Sequence, residues 1–355
     1  MRETIAVTER HELDELRAML RDALDDLCRL GATGAQGQVH DAGRDVSARA
    51  WASYDGTSFM PAAGRFRIGC ATAAFTAVVV LRLAAEGRLS LDDAVAAHLP
   101  GLGLDAATTV RDLLRHTSGR PDYLGALAGG PRFAHRDPEE LVALSRGPRT
   151  EGWSYSNTNY VLAGLVVRAV TGRSWAEQVR NHIARPLGLR DTYYPYDHPS
   201  LPRSCARAYQ QQWPGGPLVD VTELNPTALD AAGGLVSSTA DLTRFWCALR
   251  RGELLGPDWL AEMDRVVPAQ TYQQVRPGLG FGLGVFRVPS RSGGFWAHPG
   301  AAPGTASCNG VNDDGSRCVV LYRTTTPADP GLRAAMDARA LRLVEDVLDR
   351  PAALD

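Results

Sequence analysis

The sequence contains no lysine: all 38 of its positively charged side chains are arginines. Arginine stays protonated near neutrality and is a poor general base, so proton abstraction has to fall to other side chains. Long apolar runs are missing too. No eighteen-residue apolar stretch long enough to span a bilayer occurs, and Met1 through Leu20 carry charges throughout, with no secretory apolar core. A cytoplasmic location is the expectation, although a mature chain whose leader had been removed would read the same way. The formal net charge is −2 and there is no long basic run, which excludes a global attraction for nucleic acid or anionic lipid. Cys28, Cys70, Cys205, Cys247, Cys308 and Cys318 show no short metal-binding spacing, and His40, His98, His135, His182 and His198 form no metal motif. No metal and no organic cofactor are expected. Cys308 and Cys318 flank an expected hairpin, where a disulfide is conceivable but is opposed by a reducing compartment. The glycines of Gly278–Gly284 lack the Lys-Ser/Thr ending and strand–loop–helix context of a nucleotide loop.

What is present is enough for a sizeable core, since 44% of the 355 residues are hydrophobic. Leu13, Leu16, Leu20, Leu24, Leu27 and Leu30 recur at three- and four-residue steps and predict an amphipathic N-terminal helix ended by Gly31 and Gly34. Gly37–His40 and Val46–Ser53 predict a hairpin around Asp41–Arg44. A second long helix is expected from Cys70 to Gly87, with Phe75, Val78, Val79 and Leu83 inward. His116–Gly119 reads as a turn, Asn159–Val170 as a helix, Pro195–Asn225 as loop, and Ser238–Asp241 as the start of a helix burying Leu242, Phe245, Trp246 and Leu249. Strands are expected at Phe281–Val288, Phe295–His298, Thr305–Asn309 and Arg317–Tyr322, with a turn at Asn312–Gly315. Asp329 and Pro330 then cap a last helix with Leu332, Met336, Ala340, Leu343 and Val347 on one face. Helices at both ends around a late antiparallel sheet predict an α/β (α+β) architecture: residues 1–90 plus 240–355 as one lobe and residues 91–239 as a helical insertion.

Three separated motifs suggest chemistry. Phe66-Arg67-Ile68-Gly69-Cys70-Ala71-Thr72-Ala73 precedes a hydrophobic helix, Tyr155-Ser156-Asn157 lies in the middle region, and His298-Pro299-Gly300-Ala301 lies on a late strand. Their order and spacing resemble the serine beta-lactamases and D-alanyl-D-alanine carboxypeptidases, especially the class C-like branch. Leu113–Gly119, Pro186–Leu189 and Ala232–Ser238 extend that resemblance over nearly the whole chain. It implies a three-layer α/β/α lobe with an antiparallel sheet and a helical insertion. It also implies a nucleophile at Cys70, proton transfer through Tyr155, an oxyanion hole from the backbone N–H groups of Cys70 and Ala301, substrate positioning by Asn157, and a substrate-aligning edge at Gly300 and Ala301. Where the family begins its helix with Ser-x-x-Lys, this sequence has Cys70 and Ala73.

That departure shapes the expected mechanism. A helix start stabilises a thiolate through free backbone donors and the helix dipole, and a thiol with an ordinary pKa near 8.5 needs less help to ionise than a hydroxyl. Ala73 removes the base expected on the same helical face, and no lysine elsewhere can replace it. His298 is therefore the candidate general base, with Tyr155 relaying a proton to the leaving group. His116 lacks a companion nucleophile and is expected to pack. The expected function is acyl transfer through a Cys70 thioester. The donor would be an ester, an amide or a carrier-bound thioester, with an acyl or peptidyl carrier protein as candidate partner, and the acceptor an amine, alcohol or water. Two alternatives stand beside it: an inactive binding or scaffolding protein, and an engineered inactive form of a Ser-Lys hydrolase.

Overall fold

The computed structural model describes residues 2–51, 60–61, 63–202 and 204–351, with side chains from residue 10 onward. The leucine repeat forms α1, Arg2–Arg29, with Leu16, Leu20, Leu24 and Leu27 buried. Gly31, at φ 105°, ends it; Gly34 instead opens the first strand. β1 (Gly34–Asp41) and β2 (Arg44–Trp51) pair around Ala42 and Gly43, both at positive φ as a two-residue hairpin turn requires. Residues 52 and 53 of the expected second strand lie outside the described residues.

β3 (Phe66–Arg67) and a single 3₁₀ turn, Gly69–Ala71, lead into α2 (Thr72–Ala85), in which every residue from Thr72 to Leu81 is buried. Then come α3 (Val95–His98), α4 (Val110–Arg115), α5 (Leu124–Leu127), α6 (Pro138–Leu144), α7 (Asn157–Thr171) and α8 (Trp175–Val179). α4 starts in a Thr109–Asp112 capping box and stops at His116, whose backbone turns left-handed at φ 62°. The segment expected to be loop holds a small hairpin, β4 (Tyr209–Gln211) and β5 (Leu218–Asp220), with strands too short to show an alternation. α9 (Asp230–Gly233), β6 (Val236–Ser237), α10 (Thr239–Arg250) and α11 (Pro257–Met263) follow, with Ser238 accepting from the Asp241 N–H as the cap of α10.

The remaining strands are β7 (Val267–Pro268), β8 (Gly280–Phe281), β9 (Phe286–Val288), β10 (Phe295–Ala297), β11 (Gly300–Ala302), β12 (Thr305–Val311) and β13 (Arg317–Thr324), before α12 (Pro330–Leu348). The strand expected over Phe281–Val288 is thus two strands paired around a bend. Gly284 sets that bend at φ 87°, and a Cβ on it would lie 2.5 Å from the Ala77 side chain of α2. One antiparallel sheet runs β2-β1-β13-β12-β10-β9-β8-β7, with β11 also paired to β12. Alternate residues of β13 divide the core: Val319 and Leu321 face the helices α1 and α12, while Cys318, Val320 and Tyr322 face α2 and α10. The result is the three-layer α/β/α lobe expected from the sequence. The same alternation keeps Cys308 and Cys318 apart. In the β12–β13 register Cys308 opposes Leu321 and Cys318 opposes Val311, so the two thiols belong to opposite faces, and both are free.

Candidate active site

Cys70 is held by a glycine-built contact between two backbones. Gly69 has φ 54°, and a Cβ there would lie 2.0 Å from the Ala301 carbonyl oxygen. From the other side, a Cβ on Gly300 would lie 1.9 Å from the Ile68 carbonyl oxygen. Gly300 therefore sits in backbone packing that presses β11 onto the nucleophile turn. The half-buried Cys70 Sγ lies 3.8 Å from Asn157 Oδ1 and 4.0 Å from the Ala301 carbonyl oxygen. Burial pushes the thiol pKa up; hydrogen bonding with Tyr155 and with the backbones of Ala301 and Cys70 itself pulls it back, and the Asp122 charge pushes it up again.

The supporting side chains come from the middle of the chain. Asn157 is the first residue of α7; its Nδ2 donates to Asp122 Oδ2 at 2.7 Å, which leaves Oδ1 turned to the sulfur. Asp122 Oδ1 accepts in turn from the Leu124 N–H at 3.0 Å. Burial, and then the neighbouring thiol, hold the Tyr155 phenol well above its ordinary pKa. At neutral pH it is protonated, a donor toward sulfur.

His298 follows β10 and is buried. Its Nδ1 is 3.1 Å from the Pro299 carbonyl oxygen, so Nδ1 carries the hydrogen and Nε2 is the bare acceptor. Nε2 has no partner among the described residues. The ring packs against Tyr155, Phe281 and Phe286 at centroid distances of 6.2, 6.0 and 5.5 Å. Burial lowers its pKa to about 4, which keeps the imidazole neutral at pH 7. Among the described residues, no hydrogen bond joins it to Cys70 or Tyr155.

The site also contains residues to which the sequence motifs assigned no chemistry. His116 is fully buried with its ring 4.2 Å from that of Tyr155, and its Nδ1 accepts from the Ser156 N–H at 3.2 Å and from Asn159 Nδ2 at 3.1 Å. Expected to pack, it does so directly behind the tyrosine, with burial pulling its pKa well below the ordinary imidazole value. Tyr272, whose phenol pKa is raised by burial and by the Cys70 charge, meets Trp153 at 5.6 Å and Phe286 at 6.2 Å to make an aromatic wall. Ala73, one turn along from Cys70, is wholly buried in the core.

The family described as Beta-lactamase matches residues 16–344. The chain belongs to that family. Among the similar proteins, the putative penicillin-binding protein PbpX of Bacillus subtilis is 26% identical over 72% of this chain and 61% of its own length. The chain therefore spans about three fifths of that curated relative. Solved structures agree more fully. The D-stereospecific amidohydrolase from Streptomyces sp. is 34% identical with a TM-score of 0.81, covering 90% of this chain and 98% of that one. The D-amino acid amidase from Ochrobactrum anthropi SV3, complexed with L-phenylalanine amide, is 28% identical with a TM-score of 0.80, covering 94% and 99%. In this Beta-lactamase-family chain, then, a cysteine stands in the turn that leads into α2 and an alanine in the first turn of α2, and the thiol is met by a phenol, an amide oxygen and the β11 backbone.

Proposed function

We propose that the protein is an acyl-transferring enzyme of the class C-like branch that works through a Cys70 thioester. The observation that carries this reading is the convergence on one half-buried sulfur of Tyr155, Asn157 and the backbones of Cys70 and Ala301. In the first step the sulfur attacks the acyl carbon, the bond to the leaving group breaks, and Tyr155 hands a proton to the departing atom. The thiol proton is taken up by His298 Nε2 and returned to Tyr155, a transfer that requires the bound substrate to draw the three groups into hydrogen-bond reach. The N–H groups of Cys70 and Ala301 stabilise the oxyanion while Asn157 orients the acyl group. Water, an amine or an alcohol then releases the acyl group. Residues 91–239, proposed as a helical insertion on a lobe of 1–90 plus 240–355, supply Tyr155, Asn157 and Asp122. The names of the two solved neighbours, an amidohydrolase and an amino acid amidase, support an amide donor, including an amino-acid amide; an ester or a carrier-bound thioester fits the softer nucleophile.

A small activated thioester tests this. Intact-protein mass analysis should show one acyl adduct that maps to Cys70, is lost in Cys70→Ala and forms more slowly in His298→Ala. Faster release by an amine or alcohol than by water identifies a transferase. A second reading, an inactive binding protein, draws support from the buried Ala73 and from the lack of a His298–Cys70 hydrogen bond. Folded protein that yields no adduct with chemically varied donors would establish it instead.

A further inference from the structure

A cavity of about 220 Å³ opens beside α9, and neither Cys70, Tyr155 nor His298 lines it. Its floor is Asp230, only 5% exposed, with a left-handed backbone at φ 39° that a non-glycine residue rarely adopts. Asp230 Oδ1 accepts from Trp175 Nε1 at 2.7 Å. The described residues contain no ion pair to this carboxylate, and burial raises its pKa to about 6. Against that burial stand the Trp175 and Ala231 hydrogen bonds and, more weakly, the Arg168 charge. Arg168 pairs with Glu139, and His135 bridges Asp197 and Asp137 at 3.0 and 3.2 Å. Three tilted aromatic rings line the same cavity: Trp175 and Tyr194 with centroids 4.9 Å apart, and Tyr194 and Tyr196 at 5.1 Å.

A buried carboxylate without an ion-pair partner is costly, and a cation entering a cavity that also holds aromatic rings would offset that cost. We propose that this cavity is a binding site for a small organic ammonium ion, its charge on Asp230 and its alkyl groups against Trp175, Tyr194 and Tyr196. The volume is below that of ordinary drug-sized pockets, which limits the ligand to a few heavy atoms around the nitrogen. The guanidinium groups of Arg136 and Arg168 and the His135 imidazole line the wall as well, beside the carboxylates of Asp137 and Asp197, so the cavity also has features that an anion would prefer. The site is independent of the acyl chemistry at Cys70, although α9 lies between the two: Ala231 O accepts from Thr76 Oγ1 of α2 at 2.9 Å.

Choline and its neutral carbon isostere 3,3-dimethylbutan-1-ol, titrated calorimetrically into the full chain, separate charge from shape. Choline should bind saturably, and the isostere about tenfold or more weakly. Asp230→Asn keeps an acceptor for Trp175 and a residue type tolerant of positive φ, and should weaken choline by about the same factor. Tyr196→Ala, at a half-exposed ring, should weaken it with no effect on folding. Cys70→Ala should leave choline binding unchanged. Equal binding of the two probes, undiminished binding by Asp230→Asn, loss of binding in Cys70→Ala, tighter binding of acetate than of choline, or no saturable binding would each overturn the proposal.

Discussion

The sulfur of Cys70 is pulled in two directions. Burial and the Asp122 carboxylate oppose its ionisation, while Tyr155 and two stretches of backbone favour it. The balance leaves the thiol pKa above its ordinary value, so reactivity should rise with pH beyond the point at which a free thiol has levelled off. Iodoacetamide alkylation, mapped to Cys70 across a pH series, should therefore titrate above an unperturbed thiol. Asp122→Asn removes a repelling charge and should move the profile down; Tyr155→Phe removes a stabilising hydrogen bond and should move it up. Profiles that do not move, or that move the other way, would refute this account of the site. Asp122 had no signature in the sequence because its role depends on Asn157, 35 residues and two short helices away. The clustering of Cys70, Tyr155, Asn157 and Ala301 was legible because each lies in a short motif whose order and spacing imply one arrangement. His298 was legible as a residue of that edge, but its aromatic surroundings and its separation from the sulfur are properties of packing.

Among the elements, the legible ones are those with local chemistry. The leucine stripe of α1, the Ser238 cap of α10 and the Asp329 cap of α12, which accepts from the Leu332 N–H, are all written within a few residues. Hidden from the sequence were the bend that splits β8 from β9, since hydrophobic residues continue through it, and the hairpin of β4 and β5. The contact between the nucleophile turn and β11 was hidden too, because Gly69 and Gly300 show their purpose only against each other. That contact predicts that Gly69→Ala is severe. The added Cβ meets the Ala301 carbonyl and the backbone has positive φ, so either β11 or Cys70 must move. A displacement near 1 Å should slow acylation of Cys70 on the order of a hundredfold, while far-ultraviolet circular dichroism stays that of a folded chain. Wild-type acylation in Gly69→Ala would show that the backbone contact does not position the sulfur.

At the scale of the whole molecule, buried neutral imidazoles set a limit on acid stability. His298, lowered from 6.5 to about 4, binds its proton less readily in the folded state than in the unfolded chain. Its contribution is complete above pH 6.5 and is lost as pH falls toward 4; between pH 7 and 4.5 that loss is about 2–3 kcal/mol. His116 acts in the same direction. Asp230, raised to about 6, acts in the opposite one and gains stability as it protonates. Comparing urea unfolding of the wild type and His298→Asn isolates the first of these: the difference in stability should shift toward the variant by about 2–3 kcal/mol on going from pH 7 to pH 4.5. Parallel pH profiles for the two proteins would show that His298 does not titrate on unfolding.

The sheet order has a consequence for how the chain is made. β1 lies between β2 and β13, and the Thr33 N–H just before it donates to Thr325 Oγ1, 292 residues later. At ribosomal speeds of about 5–20 residues per second, the open edge of the first hairpin has no permanent neighbour for about 15–60 s. During that interval the nascent hairpin offers an unpaired strand to whatever is nearby, so the demand for chaperones is expected to last until β13 has been made, after β11.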